Sequence, residues 1–274
     1  MNINSILRCP ACKSTLPADA LSCSCSPSHS LFYKKVYLAG SIDGQSYFDE
    51  LYQTMIDGNS EVGTQNIFYN KQIEFFLKTI NPGEVILDIG CGPQLPYKHP
   101  KDSFLIGLDP SLGSIAANSQ VDLGIFGSAS SIPLIDHSVD RVVCFYSIHH
   151  MTAKSVADNR NILNEVFKEL GRVIKPSGEI MIFDVSPIFP FNVAEDIVWN
   201  TAKKSLGPKL DMYFWKDDYL KQLGLRVFPG AQFSQKSFHS KWSTKFAPIF
   251  SKPDFFIPRA LYPFNVNLYS WKCF

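Results

Sequence analysis

The spacing of apolar positions changes character at about residue 65. Beyond it, short runs of consecutive apolar residues alternate with stretches in which apolar residues recur every three or four positions. Ile67, Phe68, Ile73, Phe76, Leu77 and Ile80 predict a helix, which Asn81-Pro82-Gly83 ends. Strands are predicted at 84–89, 104–108, 121–126, 139–145, 179–185, 224–228 and 265–272. Between the fourth and fifth of these, Ile162, Leu163, Val166, Phe167 and Leu170 share one face of a helix over about 155–171. Strands alternating with helices imply the α/β class: a doubly wound, mostly parallel, seven-stranded sheet.

Upstream of residue 65 this rhythm is missing. Residues 1–40 hold four of the seven cysteines and show little apolar periodicity, so a small module stapled by a bound ligand fits better than a hydrophobic core. A connector follows over 41–64, in which Tyr47-Phe48-Asp49-Glu50-Leu51-Tyr52 reads as a helical patch and Asp57-Gly58-Asn59-Ser60 breaks it. Residues 65–274 form the main domain, with a substrate-cap insertion expected around 186–264.

Composition is that of a soluble globular chain: 274 residues, 45% hydrophobic and 19% charged, enough to bury a sizeable core. No apolar run approaches the roughly 18 residues of a membrane span. The N-terminus lacks the basic start and apolar stretch of a signal peptide, so a cytoplasmic location is the default expectation. Charge is uneven. Residues 1–200 carry 14 basic and 21 acidic side chains, whereas residues 201–274 carry 12 basic and 4 acidic. The basic end can face an anion or be an ordinary solvated surface. All four tryptophans (Trp199, Trp215, Trp242, Trp271) lie at or beyond position 199, where some can line a pocket.

The run Val85-Ile86-Leu87-Asp88-Ile89-Gly90-Cys91-Gly92 is a buried strand entering a glycine turn. A second strand ends at Asp109, about twenty residues past Asp88, as in folds that hold a ribose with an acid. A dinucleotide site wants a third glycine, and Gln94 stands there instead.

Six ordered blocks identify a different cofactor. They are Asp88-Ile89-Gly90-Cys91-Gly92; Gly107-Leu108-Asp109-Pro110-Ser111; Gly127-Ser128-Ala129-Ser130-Ser131-Ile132-Pro133-Leu134; Asp136-His137-Ser138-Val139-Asp140-Arg141-Val142-Val143; Phe145-Tyr146-Ser147-Ile148-His149-His150; and Leu170-Gly171-Arg172-Val173-Ile174-Lys175-Pro176-Ser177-Gly178. Over residues 85–184 the chain resembles the class I S-adenosylmethionine-dependent methyltransferases, in particular the ubiquinone-biosynthesis and type 11 branch. The resemblance implies a Rossmann-like fold and S-adenosyl-L-methionine as cofactor. It places Asp88, Gly90, Cys91 and Gly92 at the amino-acid end of that cofactor. Asp109 and Pro110 fall at the ribose, Ser128 and Ala129 beside the adenine, and Tyr146 and Ser147 along the cleft. Two positions depart from the pattern: Gln94 replaces a glycine, and Ser128 replaces the acid often found beside the adenine amino group. Cys91 reads as a small filler of the loop rather than a nucleophile.

Methyl transfer is a displacement at a sulfonium, so the protein's task is to orient the acceptor, exclude water and remove a proton where the acceptor carries one. His149 is the candidate base, at the C-terminal end of the predicted fourth strand; His150 reads as a packing or loop-fixing residue.

The cysteine head offers its own chemistry. Cys9-Pro10-Ala11-Cys12 presents two thiolates, and Cys23, Cys25 and His29 follow at metal-ligand spacing. Two sets compete: Cys9, Cys12, Cys25 and His29, or Cys9, Cys12, Cys23 and Cys25. The first resembles the zinc head of bacterial ribosomal-RNA guanine methyltransferases. Either would be one structural zinc, because four protein ligands leave no open position. A head of this kind is expected to be separable, so losing a ligand would unfold it and spare cofactor binding.

The function expected first is methylation of a small-molecule acceptor on O, N or C, the acceptor being bulky, aromatic or anionic. RNA of ribosomal type is the second acceptor class, suggested by the head and the basic end. The third reading is a non-catalytic, methyltransferase-like interaction protein.

Overall fold

A computed structural model of the chain describes residues 3–16, 22–25, 32–33, 35–40, 67–238, 243–245, 256–258 and 263–274. The connector patch 47–52, His29 and Trp242 lie outside these residues. Strands β1 (Phe32–Tyr33) and β2 (Val36–Leu38) precede helix α1 (Ile67–Thr79). Then come β3 (Val85–Ile89), β4 (Phe104–Asp109), α2 (Leu112–Ala117), β5 (Leu123–Phe126) and β6 (Val139–Phe145). The chain continues through α3 (Val156–Val173), β7 (Ile174–Pro187), α4 (Phe191–Leu206) and α5 (Asp217–Val227). It ends with β8 (Gln232–Ser237), β9 (Ser243–Lys245), β10 (Phe256–Pro258) and β11 (Phe264–Lys272).

One sheet runs in the order β1-β2-β5-β4-β3-β6-β7-β11-β8, and β9 pairs separately with β10. From β2 to β7 neighbouring strands are parallel; β11 runs antiparallel to both β7 and β8. The doubly wound α/β expectation therefore holds, and β3, β4, β5, β6, β7, β8 and β11 supply its seven strands. The other two, β1 and β2, come from the cysteine-bearing head, and β2 lies parallel beside β5 on the sheet edge. Every residue of β3 is buried, as a strand covered on both faces requires. On one face Phe76 of α1 packs edge-on to Tyr97, Phe145 and Phe183. On the other, α3 buries Leu163, Val166, Phe167 and Leu170, and its Ser155 cap accepts from the Asp158 amide.

One predicted strand is corrected. Residues 224–228 are the last turn of α5 and its cap, not a strand. Leu220, Leu223 and Gly224 are buried at helical spacing, and Gly224 leaves room for the Trp271 indole against the helix. The sheet strand of this region is β8, whose residues are almost all exposed. A polar edge strand carries no apolar alternation to find.

Candidate functional site

The chain order reverses at β3: β4 and β5 lie to one side of it and β6 to the other, which opens a crevice at the C-terminal strand ends. Gly90 and Gly92 turn the chain out of β3 with φ of 70° and 59°, the left-handed region that glycine enters freely. A Cβ on Gly90 would lie 2.5 Å from that of Ser147, so the turn sits directly against the loop after β6. The Gly92 amide donates to one oxygen of Asp109 at 2.8 Å, and the Ser111 amide donates to the other at 2.8 Å. Asp109 is 2% exposed and thereby joins the turn after β3 to the one after β4. Asn118 holds the Gly92 carbonyl at 2.8 Å and Gln120 holds the Leu95 amide at 2.8 Å. Gln94 is exposed, and no helix forms between β3 and β4, so the missing third glycine has nothing to pack against.

A cavity of about 240 Å³ opens above these turns. Six of the predicted cofactor residues line it: Gly90, Asp109, Pro110, Ser128, Ala129 and Ser147. The other four lie behind or beside it. Asp88 is buried and accepts from the Tyr97 hydroxyl; burial, with Asp109 adding to it, pushes its carboxyl up to about 7. The Cys91 thiol fills the space over Gly107, and burial drives it well above the usual thiol range, which disfavours the thiolate form. Gly92 is tied to Asp109, and Tyr146, at φ 52°, donates to Gln72 at 2.8 Å. The cavity also takes Met151, Thr152, Ile162 and Val166, which sequence reading missed. The last two stand on the apolar stripe of α3, and such a stripe looks the same whether it faces core or ligand.

The two histidines separate by environment. His149 is 5% exposed, and its Nδ1 lies 2.6 Å from Asp184 on neighbouring β7. That Asp184 oxygen also accepts the Val185 amide at 2.7 Å, while its second oxygen is buried without a hydrogen-bond partner among the described residues. His150 lines the cavity and faces the Asp211 carboxylate at 3.4 Å; burial, with His149 beside it, lowers its proton affinity. Phe214 lies 5.4 Å from the His149 ring and 4.7 Å from Phe264. Glu195 accepts the Phe214 amide at 2.9 Å, and burial pushes its carboxyl up to about 7. Asp184 and Glu195 carried no sequence signal: one is an acid inside an apolar strand, the other an acid on a helix.

At the head, the thiols of Cys9, Cys12, Cys23 and Cys25 all lie within 4.8 Å of one another. Cys9–Cys25 and Cys12–Cys23 are each 3.5 Å apart, and no disulfide joins them. Four thiolates around one zinc at about 2.3 Å stand about 3.8 Å apart, so the cluster fits a tetrahedral sulfur site. Of the two ligand sets, this is the one with both cysteines of Cys23-Ser24-Cys25.

Residues 87–182 match the family described as "Methyltransferase domain". A mouse tRNA (carboxymethyluridine(34)-5-O)-methyltransferase is 31% identical over 110 residues, covering 39% of this chain and 16% of that protein. An uncharacterized protein of Methanocaldococcus jannaschii is 31% identical over 128 residues, covering 46% of this chain and 44% of that protein. The chain thus spans less than half the length of either relative. Among solved structures, a chain of the complex between the Haloferax volcanii Trm112 methyltransferase activator and the putative methyltransferase superposes with a TM-score of 0.54 at 18% identity, covering 84% of this chain and 99% of that one. A possible histamine N-methyltransferase from Thermotoga maritima gives 0.52 at 15% identity, covering 82% and 98%.

Proposed function

We propose that the chain, whose residues 87–182 match the family described as "Methyltransferase domain", uses S-adenosylmethionine to methylate a small-molecule acceptor, with His149 as the base. The observation that carries this reading is the buried His149–Asp184 pair at the adjoining ends of β6 and β7, two residues from cavity-lining Ser147. When bound, the cofactor supplies an electrophilic methyl group on a sulfonium. Asp109 would hold its ribose hydroxyls, with Pro110 closing that end. Gly90, Cys91 and Gly92 would form the turn against its amino-acid end, near Asp88. Ser128 and Ala129 would flank the adenine, and Tyr146 and Ser147 would border the cleft. Asp184 accepts the Nδ1 proton of His149, which leaves Nε2 as the atom free to take a proton from an acceptor O–H or N–H. The rings of Phe214 and Phe264 would exclude water and favour a flat, apolar acceptor. The Asp184 carboxylate weighs against an anionic one.

One structural zinc held by Cys9, Cys12, Cys23 and Cys25 completes the proposal. Four reduced thiols suit the cytoplasm, the proposed location; no helix among the described residues is long and apolar enough to cross a membrane.

RNA is the second reading. It is supported by relatives named as tRNA methyltransferases and by the excess of basic residues in 201–274. The deciding experiment gives labelled cofactor and a cell extract to the protein and follows label into RNA, protein, lipid and small-molecule fractions. Label in the small-molecule fraction, abolished by His149→Gln, supports the first reading. Label in RNA selects the second. Cofactor binding with no label in any fraction leaves a non-catalytic interaction protein.

A further inference from the structure

The head is strapped to the wall of the cofactor cavity rather than hung beside it. Gly127, Ser128 and Ala129 form that wall on one side. Immediately before them, the Ala39 and Gly40 amides both donate to the Phe126 carbonyl at 2.9 Å, where β2 runs beside β5. Four residues past Ala129, the Arg8 amide donates to the Pro133 carbonyl at 2.9 Å, and the Ile135 amide donates back to Ile6 at 2.9 Å. Leu7 and Leu134 between these bonds are fully buried. Tyr37 ties the two attachments together, its hydroxyl donating to the Arg8 carbonyl at 2.8 Å. Cys9 follows Arg8 directly, and its amide and carbonyl pair with Ser14 and Lys13 in the knuckle that presents the thiols. On its far side the same segment is held by Arg172, which donates to the carbonyls of Ile132 and Leu134 at 2.7 Å.

We propose that metal binding by Cys9, Cys12, Cys23 and Cys25 sets the affinity of the cavity for its cofactor, by fixing both ends of the Gly127–Ala129 wall. This rests on the metal and cofactor readings above, and it replaces the expectation of a separable head. Losing the metal frees the knuckle, then the segments at 6–8 and 36–40, then the wall; Arg172 keeps the far side in place, so the effect is graded. Coupling between two such sites is commonly about 5- to 150-fold in affinity, and about tenfold is expected here.

The test titrates S-adenosylhomocysteine into the full chain by calorimetry in three states: zinc-loaded, stripped by chelator, and reloaded with zinc. Amide exchange is followed in parallel over residues 127–136. The expected result is one zinc per chain, about tenfold weaker binding after stripping with recovery on reloading, and faster exchange at the Ile135 amide. Tyr37→Phe keeps the thiols intact and should reproduce part of both changes with zinc still stoichiometric; it decides the matter if the stripped protein precipitates. Equal affinity in loaded and stripped protein, or a Tyr37→Phe variant with unchanged affinity and exchange, overturns the proposal. A loaded protein that binds no S-adenosylhomocysteine would instead refute the cofactor reading, and one that takes up no zinc would refute the metal reading.

Discussion

The two halves of the sheet are put together from different materials. On the β3–β5 side the site is mostly backbone: two left-handed glycines, amides at Gly92 and Ser111, and one carboxylate at Asp109 joining them. On the β6–β11 side it is mostly side chains converging from distant segments. His149 meets Asp184 across 35 positions; beyond the site, the same half is braced by Asp196 with Tyr213 and Lys216 and by Asp217 with the Tyr269 hydroxyl, 52 positions away. A backbone site repeats the same local sequence wherever the same cofactor is bound. A side-chain site has no such constraint and can change with every acceptor.

The largest effect that separates the halves is expected at Asp184. In Asp184→Asn the oxygen shared by His149 Nδ1 and the Val185 amide stays in place but loses its charge, so the imidazolium formed when His149 takes a proton is no longer stabilised and the base is weakened. Turnover should fall by about 10²- to 10⁴-fold, while cofactor affinity stays within about twofold, since Asp184 does not line the cavity. A rate that falls only in step with the melting temperature would reduce Asp184 to a structural role. On the other half, Asp109→Asn turns an amide group toward one of two backbone donors. The loss of a charge-assisted bond at about 1.5–3 kcal/mol implies cofactor binding weaker by about 10- to 150-fold. Calorimetry measures it, and an unchanged dissociation constant would remove Asp109 from the ribose.

This division also explains what the sequence revealed. Strands β3, β4 and β6, the glycine turn and helix α3 were legible because continuous burial and helical spacing write themselves locally. The turn's departure from pattern at Gln94 was legible as a departure, but not as a harmless one; that needed its exposure and the absence of a following helix. Residues 224–228 read as a strand because the helix end Leu223-Gly224-Leu225-Arg226-Val227-Phe228 is an apolar run. Asp184 was hidden by standing inside Ile182-Phe183-Asp184-Val185, where the sheet and not the spacing brings it to His149. In the head, spacing allowed two ligand sets, and only the fold gathers Cys23 with Cys9, Cys12 and Cys25.

Between the two larger substitutions and the smallest lies a pH effect at Asp88. Its carboxyl is raised from 3.8 to about 7 by burial, so the unfolded chain ionises first as pH rises. The stability this neutral acid contributes is complete below about 4 and is lost progressively up to about 7. If the cationic end of the cofactor selects the ionised form, binding below pH 7 must expel a proton, and affinity should fall by about tenfold per unit of acidification. Asp88→Asn should flatten both trends, raising the melting temperature at pH 8 and weakening the cofactor. Calorimetry across pH 5.5–8 checks this; a flat profile in the parent protein would place the ionised acid away from the bound cation.

The smallest effect belongs to Ser128, and it tests how far the backbone character of the first half extends. The side chain is exposed, and its hydroxyl lies 2.8 Å from that of Ser130 and accepts the Ser130 amide at 3.3 Å. These bonds shape the loop and need no ligand. If adenine is held by the backbone of this wall and by the apolar side chains of α3, Ser128→Ala changes affinity by no more than about 0.5 kcal/mol. Ser128→Asp restores an acceptor for the adenine amino group, and an exposed hydrogen bond of about 0.5–1.5 kcal/mol should tighten binding severalfold. The gain should vanish with the inosine analogue of the cofactor, which has no amino group at that position. A large loss in Ser128→Ala would show that the first half, too, depends on a side chain at its adenine end.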